Sequence, residues 1–266
     1  MRMPVALTIA GSDSGGGAGI QADLKTFAAL GVYGTSAITA ITAQNTVSVT
    51  EIHEVPVRVI RAQIDAVVRD IGVDAAKTGM LASAEIIEEV SVAIREYGIR
   101  NLVVDPVMFA KAGARLLHSD AIAAMYRYLL PLADVVTPNI PEAEVLIGRT
   151  LVTLDDRRQA ARDLVALGPR AAVVKAGHVD DDAEAIDIFW DGEVLVELPA
   201  QRIKTKNTHG SGCVFSAAIA AGLARGDDRL VAVRAAKAFI SAAIEHSIEI
   251  GRGHGPVNPM FGLEPD

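Results

Sequence analysis

Lys206-Asn207-Thr208-His209-Gly210-Ser211-Gly212-Cys213 runs straight into an apolar helical stretch at 214–224. A helix start presents unpaired backbone N–H groups and the positive end of the helix dipole. Gly210 and Gly212 carry no Cβ, so a ligand can approach the backbone closely. Such a loop-to-helix junction is a ready anion site. Cys213, the only cysteine, falls in the first turn. There a thiol is expected to titrate below its free value of about 8.5. His209 stands just upstream, and Lys204 and Lys206 add positive charge. A phosphate and a proton acceptor can therefore meet here. The same residues also read as a plain helix start, with Ser211 as cap and a buried, inert cysteine. Two familiar phosphate loops are excluded. No Gly-x-x-x-x-Gly-Lys-Ser/Thr occurs, and Phe215 stands where a dinucleotide fingerprint needs its third glycine.

Outward from this junction, short apolar runs alternate with amphipathic segments for almost the whole chain. Strands are expected at 5–10, 36–42, 75–78, 102–105, 134–137 and 171–175, with a hairpin of 185–190 and 193–198 around Asp191-Gly192. Helices are expected at 21–30, 59–71, 84–97, 120–130, 141–147, 156–167, 212–224 and 229–248. This alternation specifies an α/β fold: a three-layer αβα sandwich with a mostly parallel central sheet. No linker, repeat or low-complexity segment interrupts it, so residues 1–266 read as a single domain. The tail from Gly251 is rich in Gly and Pro and reads as irregular.

In such sheets ligands sit beyond the C-terminal ends of the strands. Polar residues appear at several of those ends. After the first strand, Gly11-Ser12-Asp13-Ser14-Gly15-Gly16-Gly17-Ala18-Gly19 is long and glycine-dense for a simple strand-to-helix turn. Gln44 follows a buried strand, and its amide both donates and accepts, which suits a ligand edge presenting a donor beside an acceptor; a strand-end cap is the other reading. Met80 reads by itself as core filling. Asp105 ends a buried strand, where a carboxylate needs a partner, a cap or a metal. Thr137-Pro138-Asn139-Ile140-Pro141-Glu142 places Pro141 and Glu142 in a first helical turn, where a solvated carboxylate is also favoured. Lys175 ends another strand, and Lys237 reads by itself as a solvated helix lysine.

Composition narrows the classes. Half the residues are hydrophobic but only 4% are aromatic, so the core is built from Ala, Val, Ile and Leu. The formal charge is -8 and no basic run stands out, which argues against nucleic acid as a partner. Local dipoles can still hold a phosphate. One cysteine excludes an intramolecular disulfide and cysteine-based zinc clusters, and fits a reducing cytoplasm. The apolar N-terminal run is too short for a signal peptide, and the 214–224 stretch is too short to cross a membrane.

The stretch 207–213 resembles the phosphate-binding signature of the ribokinase-like superfamily, whose sugar kinases carry Asp at the position of Cys213. Its Asn-Thr-His-Gly-Ser-Gly-Cys form is similar to that of the hydroxymethylpyrimidine/phosphomethylpyrimidine kinases of thiamine biosynthesis, with Ser211 for the more usual Thr. The stretch 10–23 resembles their N-terminal signature essentially unaltered. Asn139-x-x-Glu142 matches the superfamily's magnesium motif. Gly253-His254-Gly255-Pro256-Val257-Asn258 looks like the family's C-terminal ending. Departures are few: Phe109-Ala110-Lys111-Ala112-Gly113 replaces the usual Val-Ala-Lys-Ser-Gly, and Ala176 replaces a glycine before Gly177-His178. The likeness runs from Val5 to Asn258.

That resemblance implies a ribokinase-like fold and an ATP-dependent kinase of 4-amino-5-hydroxymethyl-2-methylpyrimidine and of its monophosphate. Gly11, Asp23, Gln44, Met80, Val107 and Cys213 would contact the pyrimidine. Asn139, Lys175, Gly177, Thr208, Gly210, Gly212 and Lys237 would hold the nucleotide. Asp105 and Glu142 would hold Mg2+, partly through water. The N–H groups of Gly210, Ser211, Gly212 and Cys213 would stabilise the transferred phosphoryl group, with Cys213 as general base. A pyridoxal kinase of the same superfamily is the alternative, and a non-catalytic pyrimidine- or nucleotide-binding regulator a second. The family suggests a homodimer.

Overall fold

The computed structural model of the chain describes residues 2–108, 117–118, 120–177 and 184–263. Residues 109–113 and His178, noted above as departures or markers of the family, lie outside them. In chain order the elements are β1 (Val5–Asp13), α1 (Gly19–Ala29), β2 (Tyr33–Gln44), β3 (Val49–Glu54), α2 (Val57–Asp70), β4 (Ala75–Thr78) and α3 (Ala84–Glu96). There follow β5 (Leu102–Val104), α4 (Ala121–Ala124), β6 (Val135–Val136), α5 (Ile140–Ile147), α6 (Leu154–Ala166) and β7 (Ala172–Val174). The chain then forms β8 (Asp187–Trp190), β9 (Leu195–Leu198), α7 (Ser211–Arg225) and α8 (Arg229–Glu245).

All nine strands form one sheet in the order β3-β2-β1-β4-β5-β6-β7-β8-β9. The six strands from β2 to β7 in that order are parallel, while β3, β8 and β9 join antiparallel at the two edges. The parallel strands are apolar on both faces because both faces are covered. In β5, Leu102 and Val104 enter the core under α2 to α6, and Val103 enters the core under α1, α7 and α8. In β7, Ala172 and Val174 divide from Val173 in the same way. The expected three-layer αβα sandwich is therefore present.

Local rules account for the helices. Ser83 caps α3, its hydroxyl accepting from the Ile86 N–H, and Ile86, Ile87, Val90, Ala93 and Ile94 form the buried face. α7 is buried at every position from Val214 to Leu223, as a helix apolar all round must be. The expected helix at 120–130 is only one α turn; it widens into a π turn at Met125–Leu129 and tightens to a 3-10 turn at Leu130–Leu132, which contains Pro131. β3 was not expected. Its Val-Thr-Glu-Ile-His-Glu is exposed along most of its length, so it lacks the apolar alternation of a half-buried strand.

β1 is followed to one side by β2 and, after β3 and α2, to the other side by β4. That reversal is the topological switch point of the sheet, where open α/β sheets form their ligand crevice. A register shift between β1 and β2 near Ala10 and Ser12 falls at the same end, as irregularities beside functional sites commonly do.

Candidate active site

A cavity of about 420 Å3 opens at the C-terminal ends of the parallel strands. β1 contributes Gly11 and Asp13, β2 contributes Gln44, and the end of β4 contributes Lys77, Gly79 and Met80. Asp105 and Val107 enter from beyond β5, and Thr208 to Cys213 close the wall at the start of α7. A second cavity, of about 190 Å3, is lined by Gly177, Asp187 and Lys237 together with Phe215, Ile240 and Ile244. The two share Asn139, Lys175, Thr208, Ser211 and Gly212. One helix start thus separates and serves two chambers.

The start of α7 is built on backbone. Gly210 is the residue before the helix and adopts φ +76, and a Cβ on it would overlap the Gly17 carbonyl oxygen. Only glycine fits that turn. Ser211 is not the cap of the alternative reading; it is already inside the helix, and Gly210 offers no side-chain oxygen to the first N–H groups. The Ser211 N–H turns back to the Thr208 carbonyl at 3.3 Å, and Ser211 and Gly212 line both cavities, so this helix start stands where an anion could be held.

Cys213 lines the larger cavity, but its thiol is not activated in the way its helix position led us to expect. Burial pushes it up to about 11; Lys77 opposes this, and the carboxylates of Asp23 and Asp105 add to it. Desolvation and two carboxylates brought in from α1 and from beyond β5 outweigh the helix dipole. The Gly19 N–H also reaches the sulfur.

Lys77 is fully buried, with its Nζ 2.9 and 3.1 Å from the two oxygens of Asp23. Burial alone would strip its proton, but the charges of Asp23, Cys213 and Asp105 hold it above the ordinary lysine range. Asp23 also accepts from the Thr8 hydroxyl at 2.6 Å. The expectation that Asp23 touches substrate is revised: its side chain stands behind the cavity wall, with no exposed surface, and acts on the cavity through Lys77.

Across the cavity, Lys175 donates to Asp105 at 3.0 Å, and Thr137 and Ser216 also reach the Asp105 carboxylate. Glu142 and Asn139 form a reciprocal capping box on α5, at 2.8 and 2.9 Å. The Asn-x-x-Glu spacing therefore serves a helix start and a cavity wall at once, and Glu142 is buried, not solvated. Burial, with Asp105 nearby, raises its carboxyl well above the usual range, against the charge of Lys175. Two carboxylates on one wall suit magnesium, which keeps several waters and takes its remaining ligands from phosphate. Among the described residues no group of three or more His, Cys, Asp or Glu could hold a metal alone. The pair fits a cation shared with a nucleotide.

Asp13 organises the glycine-rich loop. Its carboxylate accepts from the N–H groups of Gly15, Gly17 and Ala18 at 2.8, 3.2 and 2.9 Å, and lies 2.8 Å from His209 Nε2. Burial would raise this carboxyl; the His209 and backbone hydrogen bonds together hold it below the ordinary value. Gln44 lies 3.3 Å from the same His209 nitrogen. In the second cavity Lys237 is ion-paired with Asp187 at 2.7 Å, so it is not the solvated lysine its helix pattern implied.

Sequence reasoning singled out neither Lys77 nor Asp13 as a site residue. A lysine inside the four-residue strand Ala75–Thr78 was the available signal, since a charge in a doubly covered strand needs a partner.

An anion-binding helix start between two chambers, on a three-layer sandwich, defines a phosphotransferase of the ribokinase-like class. A family model described as phosphomethylpyrimidine kinase matches residues 13–258. The chain belongs to that family. A hydroxymethylpyrimidine/phosphomethylpyrimidine kinase of Rhizobium meliloti is 54% identical over 259 residues, covering 96% of each chain. Among solved structures, a pyridoxal kinase of Bacillus subtilis in complex with ADP superposes with a TM-score of 0.91 at 43% identity, covering 97% of this chain and 98% of that one. A phosphomethylpyrimidine kinase from Clostridium difficile 630 superposes with a TM-score of 0.81 at 43% identity, covering 91% and 100%.

Proposed function

We propose that the chain transfers the γ-phosphoryl group of ATP first to hydroxymethylpyrimidine and then to its monophosphate, giving the diphosphate. The observation that carries this reading is the pair of cavities meeting at one helix start. Phosphoryl transfer asks a protein mainly for positioning and charge stabilisation. The larger chamber takes the pyrimidine, against Gly11, Gln44, Met80 and Val107. The smaller takes the nucleotide, between Gly177 and Lys237. Thr208, Lys175 and Asn139 stand at the shared wall beside the phosphates.

In the first transfer the hydroxymethyl oxygen bonds to the γ-phosphorus as the bond to the β-phosphate oxygen breaks and ADP leaves; in the second a phosphate oxygen of the monophosphate takes the place of the hydroxyl. The N–H groups from Gly210 to Cys213 stabilise the charge on the transferred group. Cys213, as thiolate, takes the hydroxyl proton; Lys77 is the group that favours that thiolate. Asp105 and Glu142 would hold magnesium, which would supply charge neutralisation to the nucleotide phosphates.

The reaction belongs in the cytoplasm, where ATP is available and a lone thiol stays reduced. No helix among the described residues is long and apolar enough to cross a membrane. The same reading includes a homodimer.

The pyridoxal kinase reading is favoured by one observation, the 0.91 superposition. One experiment separates the two. Hydroxymethylpyrimidine, its monophosphate and pyridoxal are offered separately with Mg-ATP, and the products are followed by phosphorus NMR. Diphosphate from the pyrimidine monophosphate is the expected result. Turnover of pyridoxal alone makes this a pyridoxal kinase, and ATP binding with no transfer makes it a regulator.

A further inference from the structure

The segment Gly251 to Asn258 lines neither cavity, yet it touches three chain segments that do. His254 N–H donates to the Thr46 carbonyl at 2.9 Å, and Gly253 N–H to the Thr46 hydroxyl at 3.2 Å. Thr46 stands two residues beyond Gln44. His254 Nδ1 lies 3.1 Å from the Lys206 carbonyl, so that nitrogen carries the hydrogen. Gly255 N–H donates to the Asn207 side chain at 3.1 Å. His209 is then held on both sides of its peptide unit: its N–H donates to Gly255 O at 3.0 Å and its carbonyl accepts from Val257 N at 3.1 Å. Finally, a Cβ on Gly17 would meet Pro256 at 3.1 Å and the His209 ring at 2.5 Å.

Backbone contact explains the glycines here. A Cβ on Gly253 would overlap the Thr46 carbonyl, and one on Gly255 would lie 2.6 Å from Asn207 Oδ1 and from the Ile248 carbonyl. The far end of the segment is anchored, since Val257 is buried in the α7–α8 core and Asn258 N–H bonds to Ala243 O at 2.9 Å.

We infer that residues 251–258 are a positioning element for the acceptor site, fixing the Gln44 end of β2 and the glycine-rich loop in register with the His209–Cys213 turn. The distance from the ring-reading amide to the reacting hydroxyl is set by two elements that the sheet alone does not join. Gln44 meets His209 side chain to side chain at 3.3 Å, and the strap ties the same two elements backbone to backbone. In the nucleotide chamber Lys237 and Asp187 pair with each other, away from the strap. This inference rests on the acceptor and donor chambers being assigned as above.

Gly253→Ala tests it, because residue 253 is outside the core and the added methyl must push the Thr46 turn away. A second variant, His254→Ala, removes only an exposed side chain and its bond to Lys206. Two measurements are made on the full chain. The first is steady-state kinetics with whichever alcohol the wild type phosphorylates. The second is amide hydrogen exchange over residues 43–48 and 206–210, which needs no substrate. We expect faster exchange in both stretches and a rise of about tenfold in acceptor KM for Gly253→Ala, with a smaller rise for His254→Ala. The KM for ATP should stay within about twofold. Unchanged exchange, faster exchange without a rise in acceptor KM, or an equal rise for ATP each overturns the proposal. If the wild type phosphorylates some other alcohol, the pyrimidine reading fails while this test still runs.

Discussion

Lys77 and Asp23 form an ion pair in which neither side chain retains exposed surface. One lies in β4 and the other in α1, 54 residues apart. Removing one partner of such a pair strands a buried charge, at a cost of about 3–5 kcal/mol. Asp23→Ala and Lys77→Met should each lose stability on that scale, measured as the midpoint of urea unfolding. The double variant Asp23→Ala/Lys77→Met should be closer to wild type than the sum of the two, because no charge remains buried.

Cys213 should behave as a reluctant thiol. A raised thiol is ionised only as pH climbs towards its folded value, here about 11. Alkylation of the ligand-free protein by iodoacetamide should therefore be slow at neutral pH and rise about tenfold per pH unit up to the alkaline range. The kcat/KM for the acceptor should rise along the same limb. Cys213→Ala should cost about a hundredfold or more in kcat. Near-full turnover in that variant would remove the base role and leave the thiol as a wall.

His209 should protect the fold against acid. The Asp13 carboxyl is depressed in the folded state, so its contribution is present above the ordinary carboxylate range and is lost as pH falls through the lower folded value. Replacing His209 with Ala removes a charge-assisted hydrogen bond worth about 1.5–3 kcal/mol and lets the Asp13 carboxyl rise. The acid-unfolding midpoint of His209→Ala, followed by circular dichroism, should move to higher pH. An unmoved midpoint would show that the three backbone N–H groups suffice.

Gly210→Ala and Gly226→Ala form a matched pair. Both glycines have positive φ, +76 and +95, at opposite ends of α7. Each substitution carries the left-handed penalty of about 1–2 kcal/mol. Only at Gly210 would the methyl strike other backbone. Turnover should fall by at least about a hundredfold in Gly210→Ala and stay near wild type in Gly226→Ala.

Much of this was legible from residue order, and the exceptions share a cause. The extent of β4 is read correctly to the residue because Ala-Ala-Lys-Thr is bounded by Asp74 and Gly79. The start of α7 is read from two glycines and a hydroxyl because anion binding at a helix start is a local property. What escaped is set by partners far along the chain. The ionisation of Cys213 depends on Asp23, Lys77 and Asp105, which reach it from three other elements. Asn139 and Glu142 illustrate a different limit: one spacing satisfies a capping box and a cavity wall, so residue order cannot choose between them and both are realised. β3 was invisible because exposure on most of its length erased the pattern that marks a strand.

The contact of Gly210 with Gly17 is backbone against backbone. The donors of that turn are peptide N–H groups, which among single substitutions only proline deletes. Neighbouring side chains such as Gln44, Met80 and Val107 can change while those donors remain. The transferring half of the site is thus tied to a backbone shape that its glycines alone permit, while the recognising half is free to drift towards new alcohols.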